Sequence, residues 1–99
     1  MSELADRVVD TVMSIPAGRV MTYGEVARES RTGARVVGRV LHGGGHDIPW
    51  WRVVNAEGRP YPDAAYDARA RFIEEATPLV GDARDVRVDL VRASWSPHQ

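Results

Sequence analysis

The 99-residue sequence predicts a single α+β domain over residues 1–99, with a winged helix-turn-helix-like fold. Three patterns support this class. Apolar residues recur at helical spacing in three successive segments of the first half of the chain. A short turn containing Gly33 separates the second segment from the third, as in a helix-turn-helix. Residues 51–59 then predict two strands joined by a turn, which would form a wing.

The first two helices are predicted from spacing and from capping residues. Residues 3–14 form an amphipathic pattern behind Ser2, which is a suitable N-cap. Thr22 and Glu25 match the capping box, in which a hydroxyl and a carboxylate each bond a free amide at a helix start. We therefore expect the second helix over residues 23–30.

The third predicted helix has two unlike faces, and we expect Thr32 to cap it. The apolar face would pack on the first two helices through Val36, Val37, Val40 and Leu41. The opposite face is basic, and at about 100° per residue its side chains fall within roughly 60° of one another: Arg35, Arg39 and His42. A basic helix after a tight turn is typical of the DNA-contacting element of helix-turn-helix proteins.

The wing is predicted next. Residues 51–54 would form its first strand, Asn55 to Gly58 the turn, and Arg59 the start of the return strand.

One more helix and an extended tail are expected after the wing. Asp63 would cap the helix, with inward residues Ala65, Phe72, Ile73 and Ala76. The tail alternates apolar and charged residues through Val86, Val88 and Leu90, which predicts one extended segment. Trp95 is expected to anchor the end of the chain against the body.

Composition narrows the functional classes. The chain has no cysteine, so it has no disulfide, thiolate metal site or thiol nucleophile. No apolar run approaches the roughly 18 residues of a membrane span. The first ten residues carry three acidic side chains and do not resemble a targeting peptide. We expect a cytoplasmic protein, associated with the nucleoid if the source is bacterial.

Charge is unevenly distributed although the net charge is only −1. Residues 16–59 hold seven arginines against four acidic residues. All thirteen basic residues are arginine, which suits phosphate and base contacts and is also what a biased codon usage would give.

Several segments together resemble a known family. In chain order they are Ile15 to Val20, Thr22 to Ala27, Ala34 to Gly38, Ile48 to Asn55 and Arg87 to Leu90. Their order and spacing resemble the O6-alkylguanine-DNA alkyltransferases and, more closely, the alkyltransferase-like proteins. Those relatives carry tryptophan or alanine where the enzymes have the reactive cysteine. Here Trp50 occupies that position.

The resemblance implies binding without turnover. Alkyl transfer requires an activated thiolate, whereas an indole offers a broad face for stacking and no usable nucleophile. We expect a lesion pocket formed by Trp50, Tyr23 and Val53. Trp51 replaces the histidine that usually follows the reactive position, which removes a general base, and is expected to pack beneath the wing. From residue type alone, Trp50 would fit a hydrophobic core equally well.

The resemblance also implies a DNA-contacting set, which comprises Arg35, Tyr23, Thr22, Ala34, Gly38 and Arg39. Arg35 resembles the finger that fills the stack after a nucleotide is extruded, although outside this motif it would be a solvated side chain. Small residues at 34 and 38 would let the helix approach DNA, in the minor groove as in the family. Tyr23 would line the pocket and crowd a phosphate. Thr22 and its neighbouring amides would bind a DNA phosphate, and Arg39 and His42 would contact the DNA backbone.

Other signals are weaker. The family's pocket-lid pattern is missing after Gly58, which leaves Arg59 and Arg69 as candidate lid arginines without a secure match. His42 and His46 are four residues apart, but glycines lie between them and a third ligand is lacking. We therefore expect no metal and no cofactor.

These features predict a monomer that binds double-stranded DNA containing O6-alkylguanine. It would flip the base beside Trp50 without transferring the alkyl group and flag the lesion for nucleotide excision repair proteins. The alternative is a helix-turn-helix transcriptional regulator, which would prefer one undamaged sequence and dimerise. A residual lyase or glycosylase is less consistent with a chain that has no lysine and no evident acid-base pair in its motifs.

Overall fold

The computed structural model describes residues 3–45 and 47–98, so the expected cap Ser2 lies outside it. The helices are α1 (Glu3–Met13), α2 (Tyr23–Ser30), α3 (Ala34–His42), α4 (Ala65–Glu74) and α5 (Leu90–Ala93). The strands are β1 (Met21–Thr22), β2 (Val53–Val54), β3 (Leu79–Val80) and β4 (Arg87–Val88). Two 3₁₀ turns cover Trp50–Arg52 and Pro62–Ala64. The α+β class is confirmed.

The first three helices enclose the first hydrophobic core. Val8 and Val12 of α1, Val26 of α2 and Val37 of α3 are all fully buried there. These are positions of the predicted apolar faces, so spacing alone located the helices and their inward sides. The opposite faces, including that of α3, remain toward solvent.

Capping differs between α2 and α3. The capping box is confirmed, since the Glu25 amide donates to the Thr22 hydroxyl and the Thr22 amide donates to the Glu25 carboxylate at 2.8 Å. The expected cap of α3 at Thr32 is wrong. The amide of Thr32 instead closes the end of α2 on the Ala27 carbonyl, so α3 begins one residue later with Gly33 as an N-cap that forms no side-chain bond.

The predicted wing at residues 51–59 is wrong. β2 pairs in parallel with β1, with Met21 opposite Val53 and Thr22 opposite Val54. The turn from Asn55 to Gly58 forms as expected, but no return strand follows it in the described chain. Pairing with β1 buries both strand residues on opposite sides, which a solvent-facing wing would not do.

The turn at residues 55–58 requires a glycine at position 58. Its φ of +87° is favourable only for glycine, and a Cβ there would lie 2.4 Å from the Val88 carbonyl oxygen. The Val88 amide donates to the Gly58 carbonyl at 2.8 Å. The turn is therefore pressed against β4, which forms the antiparallel pair of the domain with β3.

The second hydrophobic core joins β2 to the C-terminal elements. Its buried members are Val20, Val54, Ala68, Phe72, Val88 and Ala93. Trp95 is anchored as expected, because its amide donates to the Val20 carbonyl and its ring packs on the first core.

Three expectations about the C-terminal half are wrong. A 3₁₀ turn precedes α4, whose N-cap is Ala64 rather than Asp63. Ile73 is 55% exposed and Ala76 is exposed, since α4 packs through Ala68 and Phe72, four residues apart, and ends before residue 76. The tail is not one extended segment, because Asp89 caps α5 through the amides of residues 91 and 92.

Candidate functional site

The exposed face of α3 carries two unpaired guanidinium groups. Arg35 and Arg39 are one helical turn apart, and both are exposed. Within residues 3–45 and 47–98, neither side chain forms an ion pair or a hydrogen bond. Ala34 and Gly38 lie beside them as small residues. This face is therefore positively charged, unobstructed and free to meet a polyanion.

A cavity of about 480 Å³ opens next to this helix face. Its walls come from α2, from α3 and from the segment after the turn at residues 55–58. They comprise Tyr23, Ala34, Gly38, Arg39, His42, Gly43, Asn55, Arg59, Pro60, Tyr61 and Pro62. Among these described residues the only formally charged side chains are the two arginines. The cavity thus combines apolar and aromatic walls with the guanidinium groups of Arg39 and Arg59.

His42 is the central side chain of the wall. The Tyr23 hydroxyl lies 2.8 Å from its Nε2 atom. The ring of Tyr61 is nearly parallel to the imidazole, with ring centroids 3.9 Å apart and an interplanar angle of 11°. The sequence prediction made His42 a backbone contact, whereas the structure places it half-buried between two tyrosines.

Burial determines the protonation of His42 and Tyr23. Desolvation lowers the pKa of His42, so the imidazole is neutral at pH 7. Burial, followed by the charge of Tyr61, raises the pKa of Tyr23 to about 12. Tyr23 therefore keeps its proton, and the tautomer of the neutral imidazole decides whether its hydroxyl donates to Nε2 of His42 or accepts from it.

Trp50 does not line this cavity but contacts His42, which does. Its indole meets His42 edge-on, with centroids 6.2 Å apart, and is perpendicular to the indole of Trp51 at 5.7 Å. It is half-buried against both cores and helps to line a separate cavity of about 400 Å³ with Pro49 and Arg71. The structure does not bring Trp50 into the lining of the Tyr23 cavity.

The other expected pocket residues have different positions. Val53 is 1% exposed and packs in the first core opposite Met21, so it does not reach a cavity surface. Thr22 is half-buried, and the capping box already engages two of the amides at the start of α2. Tyr23, at the first position of α2, is the predicted pocket residue that does line the cavity.

Trp51 packs on the second core rather than beneath a wing. The guanidinium of Arg71 lies 4.7 Å from the centroid of its ring and that of Arg52 lies 5.5 Å away. These distances are within the range of cation–π contacts. Trp51 thus has a packing role, as expected, but it packs on the second core and beside Arg52 and Arg71.

The two candidate lid arginines are separated by the structure. Arg59 lines the cavity and pairs with Glu57 and Asp85, at 3.2 Å each. Arg69 lies on α4 and is not part of this cavity. Sequence reasoning missed Tyr61, although an aromatic residue between two prolines was a visible signal of a rigid, displayed ring.

The part of the chain that the structure describes contains no group of three or more residues suited to hold a metal ion, and His46 lies outside it. Nor does any described helix have both the length and the apolarity to cross a bilayer.

An arginine-bearing helix beside an aromatic cavity, in a small mixed helix-and-sheet domain, defines a DNA-binding module. Residues 3–77 match the family model of the 6-O-methylguanine DNA methyltransferase DNA-binding domain, and the chain belongs to this family. Because the chain has no cysteine, it cannot accept an alkyl group on a thiol as an alkyltransferase does.

Several known proteins are similar to the chain along most of its length. Alkyltransferase-like protein 1 of Schizosaccharomyces pombe is 44% identical over 107 residues, with 98% of each chain covered. The DNA base-flipping protein of Escherichia coli is 37% identical over 97 residues, which cover 91% of this chain and 72% of that protein. A crystal structure of S. pombe Atl1 in complex with damaged DNA containing O6-carboxymethylguanine superposes with a TM-score of 0.85, at 29% identity and 98% coverage of both chains.

Proposed function

We propose that this protein binds duplex DNA containing O6-alkylguanine, extrudes the damaged base and holds it in the Tyr23 cavity without removing the alkyl group. The observation that carries the proposal is the position of an aromatic cavity directly beside the unpaired arginines of α3. The S. pombe structure with damaged DNA and the E. coli base-flipping protein support it.

The proposed contacts follow from the exposed face of α3. Arg35 fills the stack after extrusion, because a planar guanidinium can replace the stacking and hydrogen bonding of the lost base. Arg39 contacts a phosphate. A Cβ at Gly38 would meet nothing within 4 Å inside the protein, so packing within the chain does not explain its small size. Ala34 and Gly38 together favour a close approach of the helix to the minor groove.

The proposed role of Trp50 is to support the cavity wall. Its edge-on contact holds the back of the His42 ring, and Tyr23 holds the same ring through its hydroxyl. An indole cannot form a bond to the alkyl carbon, so the base leaves the site unchanged.

Binding without repair has a use only if another system responds. We propose that the monomeric protein marks the lesion in cytoplasmic or nucleoid DNA for nucleotide excision repair proteins. This extension rests on the chemistry of a site that binds and does not turn over.

The test compares affinities for two duplexes that differ only in one guanine, plain or O6-methylated. We expect clear preference for the methylated duplex, increased fluorescence of a 2-aminopurine placed next to the lesion, which loses a stacking neighbour when the damaged base is extruded, and an unchanged lesion by mass spectrometry. Equal affinity for both duplexes would contradict the proposal. Strong binding to one undamaged sequence would favour the transcriptional regulator instead.

A further inference from the structure

We propose that Tyr61 is the surface on which the extruded base stacks, and that His42 is the positioning residue that holds the Tyr61 ring in place. This inference rests on the proposed function, because it assigns residues to the recognition of the base in the same cavity.

Tyr61 is held by stacking. Its hydroxyl forms no hydrogen bond within residues 3–45 and 47–98, and its parallel contact with His42 is the ring contact that fixes the side chain. Pro60 and Pro62 restrict the backbone on both sides, since each proline fixes its own φ and restricts the residue before it. The ring is thus presented by a stiff segment and oriented by one neighbour.

His42 is fixed from two other directions. The Tyr23 hydroxyl holds its Nε2 atom at 2.8 Å, and the Trp50 indole meets the imidazole edge-on. His42 is also the last residue of α3, so it connects the DNA-facing helix to the segment that carries Tyr61. Because His42 is held in this way, the positions of α2 and α3 determine where the Tyr61 ring lies.

The cavity chemistry suits a neutral, planar guest. Tyr61 stacks on His42 through one face, and both residues line the cavity. The proposal places the extruded base on the other face of Tyr61. Stacking on an aromatic ring tolerates different bases because every base has a π-face. The described lining contains no carboxylate, and the guanidinium of Arg39 supplies positive charge, whereas that of Arg59 is paired with Glu57 and Asp85. A cationic guest is therefore disfavoured relative to an electron-rich base with a neutral substituent.

The experiment measures the ratio of affinities for the plain and O6-methylated duplexes in Tyr61→Ala, Tyr61→Phe, His42→Ala and His42→Phe. Tyr61→Ala is expected to reduce the lesion preference about tenfold, the scale of one lost base–aromatic stack. Tyr61→Phe keeps the ring and retains the preference. His42→Ala loses most of it, and His42→Phe restores it by stacking without the hydrogen bond to Tyr23. Affinity for the plain duplex stays within about twofold throughout, because the α3 arginines are intact.

Tyr66→Ala is the matched control, since Tyr66 is 88% exposed on α4 and does not line the cavity. A second readout is 2-aminopurine fluorescence. A 2-aminopurine next to the lesion is expected to brighten less with Tyr61→Ala than with Tyr61→Phe, because loss of the stack makes extrusion of the base less favourable. Thermal unfolding of each variant shows whether it is folded.

The outcomes separate the two proposals. If the unmodified protein prefers the methylated duplex and folded Tyr61→Ala retains that preference, the stacking role is overturned and the proposed function stands. If His42→Ala behaves like the unmodified protein, the positioning role is overturned. If the unmodified protein shows no preference, the proposed function fails and this inference fails with it.

Discussion

His42 shows how one residue can join several parts of a site. Its imidazole shares a hydrogen bond with the Tyr23 hydroxyl, stacks on Tyr61 and meets the Trp50 indole edge-on. Each contact comes from a different segment of the chain. The imidazole serves all three because its neutral form has one acceptor nitrogen, one donor nitrogen and two faces.

The protonation of His42 predicts a dependence of stability on pH. Burial lowers the pKa of His42 in the folded state below its ordinary value of about 6.5. Between these two values the unfolded chain binds a proton that the folded chain does not, so stability is present above pH 6.5 and falls as the pH drops through this window. Urea unfolding between pH 5 and 8 measures the slope, and His42→Phe is expected to flatten it. An unchanged slope in that variant would assign the effect to other groups.

Arg35 carries a prediction about base extrusion. Arg35→Ala is expected to weaken binding of the O6-methylguanine duplex about tenfold and to lower the 2-aminopurine signal, because nothing then fills the gap left by the base. Arg92→Ala is the control of equal charge, since Arg92 is exposed on α5. The finger assignment is wrong if Arg35→Ala still flips the base with full affinity.

At the scale of elements, the path between α2 and α3 decides where the basic face points. α2 ends at Arg31 in the left-handed conformation, with a φ of 60°. The Thr32 amide then bonds the Ala27 carbonyl, and α3 starts at Ala34. This turn places Val37 and Leu41 in the core and leaves the arginines of α3 outside.

The two threonines before these helices give a paired prediction. Thr22→Ala removes a cap that the structure shows and is expected to lower the free energy of unfolding by about 1 kcal/mol. Thr32→Ala removes no cap and is expected to change it by less than about 0.5 kcal/mol. Denaturant titration of both variants measures the difference, and equal losses would refute the assignment of caps.

At the scale of the whole molecule, a partly buried ion pair between Arg52 and Glu75 connects the end of α4 to the rest of the domain. The Arg52 Nε atom donates to the Glu75 carboxylate at 3.0 Å, and a second nitrogen of Arg52 donates to the Ile15 carbonyl at 2.9 Å. The Gly18 amide donates to the same carboxylate. Burial is the largest single influence and raises the pKa of Glu75, but the hydrogen bonds from Arg52, Trp51 and Gly18 and the charge of Arg52 together outweigh it, so the net effect is a lowered pKa.

Breaking this pair is expected to destabilise the whole fold. Arg52→Ala leaves a partly buried carboxylate with the Gly18 amide but without its guanidinium partner, and is expected to cost about 2 kcal/mol. The double variant Arg52→Ala, Glu75→Ala is expected to lose less than the sum of the two single losses, because no unpaired charge remains. Urea unfolding of the three variants provides the values, and strict additivity would show that the two groups do not interact.

The sequence by itself determined the helices α1 to α4, the capping box of α2, the tight turn at Gly58 and the absence of thiol chemistry. These features depend on local periodicity, on backbone conformation and on which residue types are present, so neighbours in sequence suffice to define them. Only the tertiary structure decided that β2 pairs with β1, that Val53 is buried and that His42 stacks on Tyr61. Pairing between distant strands and contacts between rings on separate segments depend on how the elements pack, which local patterns do not encode.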